Sequence, residues 1–228
     1  MSDEEISEVW VPESNQLLIA MSGFGSFNRA WEPFNFMALT RKYQVNRIFL
    51  RDLRQTWYHC GIAGLTKNID DTAEYLTQVI GRRGIDKVVV LGTSAGGYAG
   101  LIIGWLIEAA EVHAIVPQSF IDAGNRVEYL DLHKDEQMPL IYDYPDACSQ
   151  YFDVKPVLEG APNGTTEYHV YYPDKPEHDR VHAERLAGVP DVNLHRCEKG
   201  GHVLASYMTR DGSIDRIIQE AFGIEPVG

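Results

Sequence analysis

Short apolar runs alternate along the chain with stretches of helical periodicity. Gln16-Leu17-Leu18-Ile19-Ala20-Met21, Val45-Asn46-Arg47-Ile48-Phe49-Leu50 and Lys87-Val88-Val89-Val90-Leu91 read as strands, as do Val112-His113-Ala114-Ile115-Val116-Pro117, Tyr168-His169-Val170-Tyr171-Tyr172 and Val192-Asn193-Leu194-His195-Arg196-Cys197. The run at 87–91 is apolar and β-branched enough for a strand buried on both faces. Between the strands, Ile69, Ala73, Leu76 and Ile80 recur at helical spacing, with a cap among residues 68–71 and a stop at Gly81 or Gly84. Tyr98 to Leu106 is small and aliphatic, suited to a helix packed on a sheet; another helix runs from near Asp179 to Gly188. Ile214, Ile217, Ile218 and Phe222 mark an amphipathic terminal helix. Trp31 to Leu39 is expected to be helical after Pro33, which suits a first helical turn, and Val9-Trp10-Val11 to form a short edge strand. This alternation predicts an α/β fold, a mostly parallel sheet with helices on both faces. Residues 118–165 interrupt it with prolines, Asp131, Asp135, Glu136, Tyr142, Tyr144 and Tyr151, and read as a partly helical, cap-like insertion. No repeat or linker divides residues 1–228, so a single domain is expected.

Composition narrows the class. The chain has 228 residues, and its 44% hydrophobic content supplies a substantial core. No stretch reaches the roughly 18 apolar residues of a membrane span. Met1-Ser2-Asp3-Glu4-Glu5 lacks the basic and apolar regions of a signal peptide. Cys60, Cys148 and Cys197 are sparse and form no C-x-x-C pair, which argues for a reducing, cytoplasmic setting. A formal net charge of −13 opposes association with nucleic acid or an anionic membrane.

The chemistry centres on Gly92-Thr93-Ser94-Ala95-Gly96, a G-x-S-x-G between a strand and a helix. That context is the one a nucleophile elbow requires: a tight turn needing small flanking residues, with the serine at the strand tip beside the positive end of the helix. The plainer alternative is a glycine-rich turn whose serine only caps the helix. That alternative needs no partner histidine or carboxylate, so the rest of the chain discriminates.

This arrangement resembles the α/β-hydrolase family from residue 16 to the terminal helix, the 118–165 insertion excepted, with the leading antiparallel strands reduced or missing. The resemblance implies a Ser-His-acid triad in chain order. Ser94 is the nucleophile, and His202, in the Gly-Gly-His loop after the last strand, stands where the family places its base. His113, His169 and His195 lie within strands and read as packed or hydrogen-bonded core residues. The acid is Asp179 or Asp174; Asp179, before a short apolar step and the next helix, fits the family better. His178 and His182 flank Asp179 at helical spacing, but without an H-E-x-x-H pattern or a nearby further ligand no metal is expected. The oxyanion donors are the backbone N–H of Ala95 and of a residue in the turn Ser22-Gly23-Phe24-Gly25-Ser26, Phe24 before Gly25. Trp57, Tyr58 and His59 could line a substrate pocket, although aromatic clusters more often serve packing, and Arg51-Asp52 could brace the elbow loop.

The resulting expectation is a serine hydrolase that cleaves a small-molecule carboxylic ester through an acyl-enzyme, with no cofactor. Acyltransfer or thioester hydrolysis by the same triad, and a non-catalytic binding protein of the same fold, are the alternatives.

Overall fold

The computed structural model describes residues 4–25, 33–132, 134–160 and 166–227. Its centre is a seven-stranded sheet of β1 (Ile6–Val9), β2 (Gln16–Met21), β3 (Asn46–Leu50), β4 (Lys87–Thr93), β5 (Glu111–Ile115), β6 (Glu167–Pro173) and β7 (Val192–Cys197), in the order β1-β3-β2-β4-β5-β6-β7. Only β1 runs antiparallel, pairing with β3; every other neighbouring pair is parallel.

Alternation along each strand sorts the core into two layers. Leu17, Ile19, Met21, Val88, Val90, Val112 and Ala114 face Leu76 of α2 (Ile69–Arg83) and Leu101 and Ile102 of α3 (Ala95–Leu106). Leu18, Ala20, Val89, Leu91 and Ile115 face the other way, toward α8 (Leu204–Arg210) and α9 (Ser213–Phe222). Central strands with helices on both faces must be apolar at every position, which is why β4 shows no hydrophobic alternation in the sequence.

The helix expected around Ile69, Ala73, Leu76 and Ile80 is α2, capped by Asn68, whose Oδ1 accepts the Asp71 N–H at 2.9 Å. It ends at Gly84, whose φ of 62° is the left-handed conformation that glycine adopts without strain.

Three expectations need correction. The helix after Pro33 is a single turn, α1 (Met37–Thr40), because Phe36 is left-handed (φ 65°) and Phe34 and Phe36 are buried in the core. Trp31 and Glu32 lie outside the described residues. The edge strand is Ile6–Val9, not 9–11: the Val11 N–H bonds the Asn46 side chain at 2.8 Å instead of continuing the ladder. The loop containing His202 tightens into a 3-10 turn, Gly201–Val203, and runs straight into α8.

The insertion carries α4 (Ala123–Glu128), α5 (Met138–Tyr142) and α6 (Val154–Glu159); its last residues, 161–165, lie outside the described set. It packs beside α3, where the Tyr98 hydroxyl donates to the Tyr151 carbonyl at 2.5 Å, and against α7 (Glu177–Glu184) through the Arg185–Asp153 pair at 2.6 Å. Among the described residues, no helix is long and apolar enough to cross a membrane.

Candidate active site

The turn between β4 and α3 is drawn tight by two backbone approaches. A Cβ on Gly92 would overlap the Gly96 carbonyl, and one on Gly96 would overlap the Met21 carbonyl. Ser94 takes φ 51° and ψ −122°, a conformation that non-glycine residues rarely adopt and that marks a strained site. It is held there on both sides: its N–H donates to the Ile115 carbonyl at 2.9 Å, and its carbonyl accepts from the Tyr98 N–H at 2.9 Å. A serine that merely capped α3 would bond a helix N–H with its side chain, and Ser94 makes no such bond.

Ser94 lines a cavity of about 230 Å³ with Gly23, Phe24, Gly25, Asn35 and His202, among others. His202 reaches it from the turn that follows β7, the edge strand of the sheet. Gly200 (φ 114°) and Gly201 (φ 54°) turn the chain sharply after β7 and present the ring. His202 Nδ1 lies 2.9 and 3.1 Å from the two carboxylate oxygens of Asp179. Asp179 is 1% exposed, near the start of α7 where the helix dipole favours negative charge. Burial alone would raise its pKa. The bonds and charges of His178 and His202 outweigh burial and bring it down to about 2. The carboxylate is therefore ionised at neutral pH and fixes the imidazole by one edge, leaving Nε2 as the other ring nitrogen.

Asp174 is placed elsewhere. It pairs with Arg196 at the surface, which lowers its pKa, and has no bond to His202. His178 Nε2, in contrast, sits 3.0 Å from Asp179 Oδ1, and this contact raises the His178 pKa against the opposing effect of burial. His182 turns away: its Nδ1 accepts the Ser119 N–H at 3.1 Å, and its Nε2 is 3.7 Å from Asp131. Ligand-type atoms of His178, Asp179 and His202 lie within 4.8 Å of one another, close enough to hold a cation.

The glycine turn after β2 is organised by Asn35. Its side-chain oxygen accepts the Gly23 N–H at 3.2 Å, and its own N–H donates to Ser22 Oγ at 3.0 Å. The N–H groups of Phe24 and Ala95 donate to no other described residue. Ser26, the end of that turn, lies outside the described residues.

Trp57, Tyr58 and His59 are buried and absent from the cavity lining. Trp57 donates to Gln118 at 3.0 Å and packs edge-on against Phe24, centroids 4.7 Å apart. The Tyr58 hydroxyl faces the carbonyls of Ser22 (2.8 Å) and Leu50 (3.1 Å). His59 Nε2 meets the Tyr98 hydroxyl at 2.9 Å, while burial lowers its pKa to about 3. Arg51 and Asp52 serve separate turns. Asp52 Oδ2 accepts the N–H groups of Thr56 and Tyr58 at 2.6 and 2.9 Å, and Arg51 donates to the Glu4 and Pro33 carbonyls. Sequence reasoning overlooked Asn35, because a lone asparagine in a loop carries no pattern. It met His178 only as half of a helical histidine pair, although the residue is Asp179's neighbour in the chain.

No family model and no curated protein sequence matches the chain. Solved structures do. The capsule O-acetyltransferase of Neisseria meningitidis serogroup A superposes with a TM-score of 0.64 at 13% identity, covering 94% of this chain and 90% of that one. MenH from S. aureus gives 0.61 at 14% identity over 96% and 98% of the two chains. MGS-MChE2, an alpha/beta hydrolase enzyme from the metagenome of sediments of the Mar Chica lagoon, Morocco, gives 0.57 at 15% over 98% and 97%. Identity this low speaks to architecture, and on that ground the chain has the α/β-hydrolase fold.

Proposed function

We propose that the protein is a serine hydrolase that cleaves a small-molecule carboxylic ester through an acyl-enzyme on Ser94. The observation that carries this reading is the bond between His202 Nδ1 and buried Asp179 in a histidine that shares one cavity with the strained elbow serine. In the proposed reaction His202 Nε2 takes the Ser94 proton as Oγ attacks the ester carbonyl. Asp179 holds the ring in the productive tautomer and stabilises the imidazolium without itself becoming protonated. The N–H groups of Ala95 and Phe24 receive the developing oxyanion; each such donor contributes about 2.7–4 kcal/mol to transition-state stabilisation. Trp57, packed on Phe24, supports that donor from behind. The imidazolium then protonates the leaving alcohol, and water, activated by the same histidine, releases the acid. The scheme needs no cofactor.

One observation favours a second reading. A capsule O-acetyltransferase is among the solved structures that share the fold. An acyltransferase would run the same first half-reaction and pass the acyl group to a hydroxyl acceptor in place of water.

The test is labelling with a fluorophosphonate probe. The folded protein should be modified, and Ser94→Ala should lose the label while keeping its circular dichroism spectrum. An unlabelled wild-type protein that is folded would favour a non-catalytic binding role. Product analysis with an ester and added alcohol then separates hydrolysis from transfer.

A further inference from the structure

Away from Ser94, two neighbouring parallel strands repeat one pattern. β5 opens Glu111-Val112-His113, and β6 opens Glu167-Tyr168-His169. The register pairs Glu111 with Glu167 and His113 with His169. Residues two apart share a face, so two carboxylates and two imidazoles lie in a plate at the beginning of these strands. Ser94 follows the far end of the adjacent β4. The His113 and His169 rings stack with centroids 4.7 Å apart at 9°. His113 Nε2 is 3.2 Å from Glu111, and His169 Nε2 is 3.7 Å from Glu167. Ligand-type atoms of Glu111, His113 and His169 all lie within 4.8 Å of one another.

We propose that this plate is a site for a divalent transition-metal ion, with Zn²⁺ as the best match, held by His113, His169 and Glu111 and completed by Glu167 or water. The donor set selects the metal: imidazole with carboxylate suits zinc and its neighbours, whereas Mg²⁺ and Ca²⁺ prefer all-oxygen shells. Zinc bonds of about 2.0–2.1 Å place ligands roughly 3.4 Å apart, so binding requires the two stacked imidazoles to turn out of their parallel arrangement until both Nε2 atoms face one ion.

The outer partners fit as well. Metal-bound histidines commonly bond through their second nitrogen to a neighbouring acceptor, which fixes the tautomer. Here His113 Nδ1 faces the Tyr171 hydroxyl at 3.1 Å, and His169 Nδ1 faces His195 Nε2 at 3.1 Å. His113 Nε2 meets Glu111 Oε2 at 3.2 Å, so an ion entering between them would take the place of the shared proton. Lys87 Nζ occupies the other carboxylate oxygen, 3.0 Å from Glu111 Oε1, and leaves Oε2 for the metal. Such an ion would join β5 to β6 and act on stability.

The experiment uses His202→Ala protein, so that the His178–Asp179–His202 cluster does not contribute. After chelator treatment it is titrated with ZnCl₂ by calorimetry, and melting is followed with and without zinc. One equivalent of Zn²⁺ should bind and raise the melting temperature. Adding His169→Ala should weaken binding at least tenfold and abolish the shift. Glu111→Gln, which preserves side-chain shape, should weaken binding in the same direction should the His169 variant fold poorly. Absence of binding to the His202→Ala protein, or undiminished binding in both further variants, would overturn the proposal.

Discussion

Asp179 stands between two imidazoles, His202 at 2.9 Å and His178 at 3.0 Å from the same carboxylate oxygen. If it orients the base, Asp179→Asn should lower kcat by about 10³–10⁴-fold, since the wrong tautomer is then favoured. Asp174→Asn, removing only a surface partner of Arg196, should leave kcat within twofold of wild type; steady-state kinetics on a single ester compares them. Asp179 also has a stability signature. Its pKa falls from 3.8 to about 2 on folding. A depressed carboxylate stabilises the fold above its unfolded pKa, and that contribution, about 2 kcal/mol, is lost as pH falls from roughly 4 toward 2. Urea melts across that range should show a shallower loss of stability in Asp179→Asn than in wild type. Equal slopes would show that the carboxylate is not held ionised. At this scale the sequence placed Ser94, His202 and Asp179 as candidates, because each occupies a motif position. It could not choose Asp179 over Asp174 on its own, since both follow the same strand closely and only the direction of α7 decides which meets the ring.

The elements that carry the site are β4, α3 and the turn joining them. Gly96 lies against the Met21 backbone, which ties the elbow to the glycine turn after β2. Gly96→Ala should cost about 1–3 kcal/mol of stability by overpacking, and should slow fluorophosphonate labelling by shifting Ser94 against Phe24. Urea denaturation and labelling rates measure the two effects separately. Long periodic elements such as α2 and α9 were legible from their apolar spacing. The helices of the insertion are five or six residues long, too short to display a period. They are held by polar links that no hydrophobic pattern reports: Asp153 receives Arg185 at 2.6 Å and Asn125 at 3.0 Å. α8 escaped notice for a similar reason, with only Leu204 and Met208 buried along it.

Across the whole molecule, the sheet separates two chemical ends. The serine, histidine and acid gather beyond the C-terminal ends of the strands, where ligands of open α/β sheets usually bind, and the Glu–His plate lies toward the start of β5 and β6. Both depend on the helical layers that hold the sheet. α9 closes one of them with Ile214, Ile217, Ile218 and Phe222, and Tyr43 anchors it by donating to Asp215 at 2.7 Å. Phe222→Ala should cost about 3–5 kcal/mol, visible as a lower urea midpoint, while Ser94 labelling persists under conditions where the variant is folded. Loss of labelling in the folded variant would mean that α9 shapes the site directly.

The sequence alone determined the class of fold, because burial of strands on both faces and helices on one face leaves its mark in every apolar run. It also determined which serine stands at the elbow, since the G-x-S-x-G turn is a local backbone requirement. Tertiary structure decided what depends on approach between distant segments: Asp179 over Asp174 beside His202, the bracing of the glycine turn by Asn35, and the burial of Trp57, Tyr58 and His59. It also brought two Glu-x-His strand openings, 56 residues apart by the register Glu111↔Glu167, into one plate. Hydrogen bonds and charge pairs of this kind are set by geometry between segments, and residue order along the chain does not encode them directly.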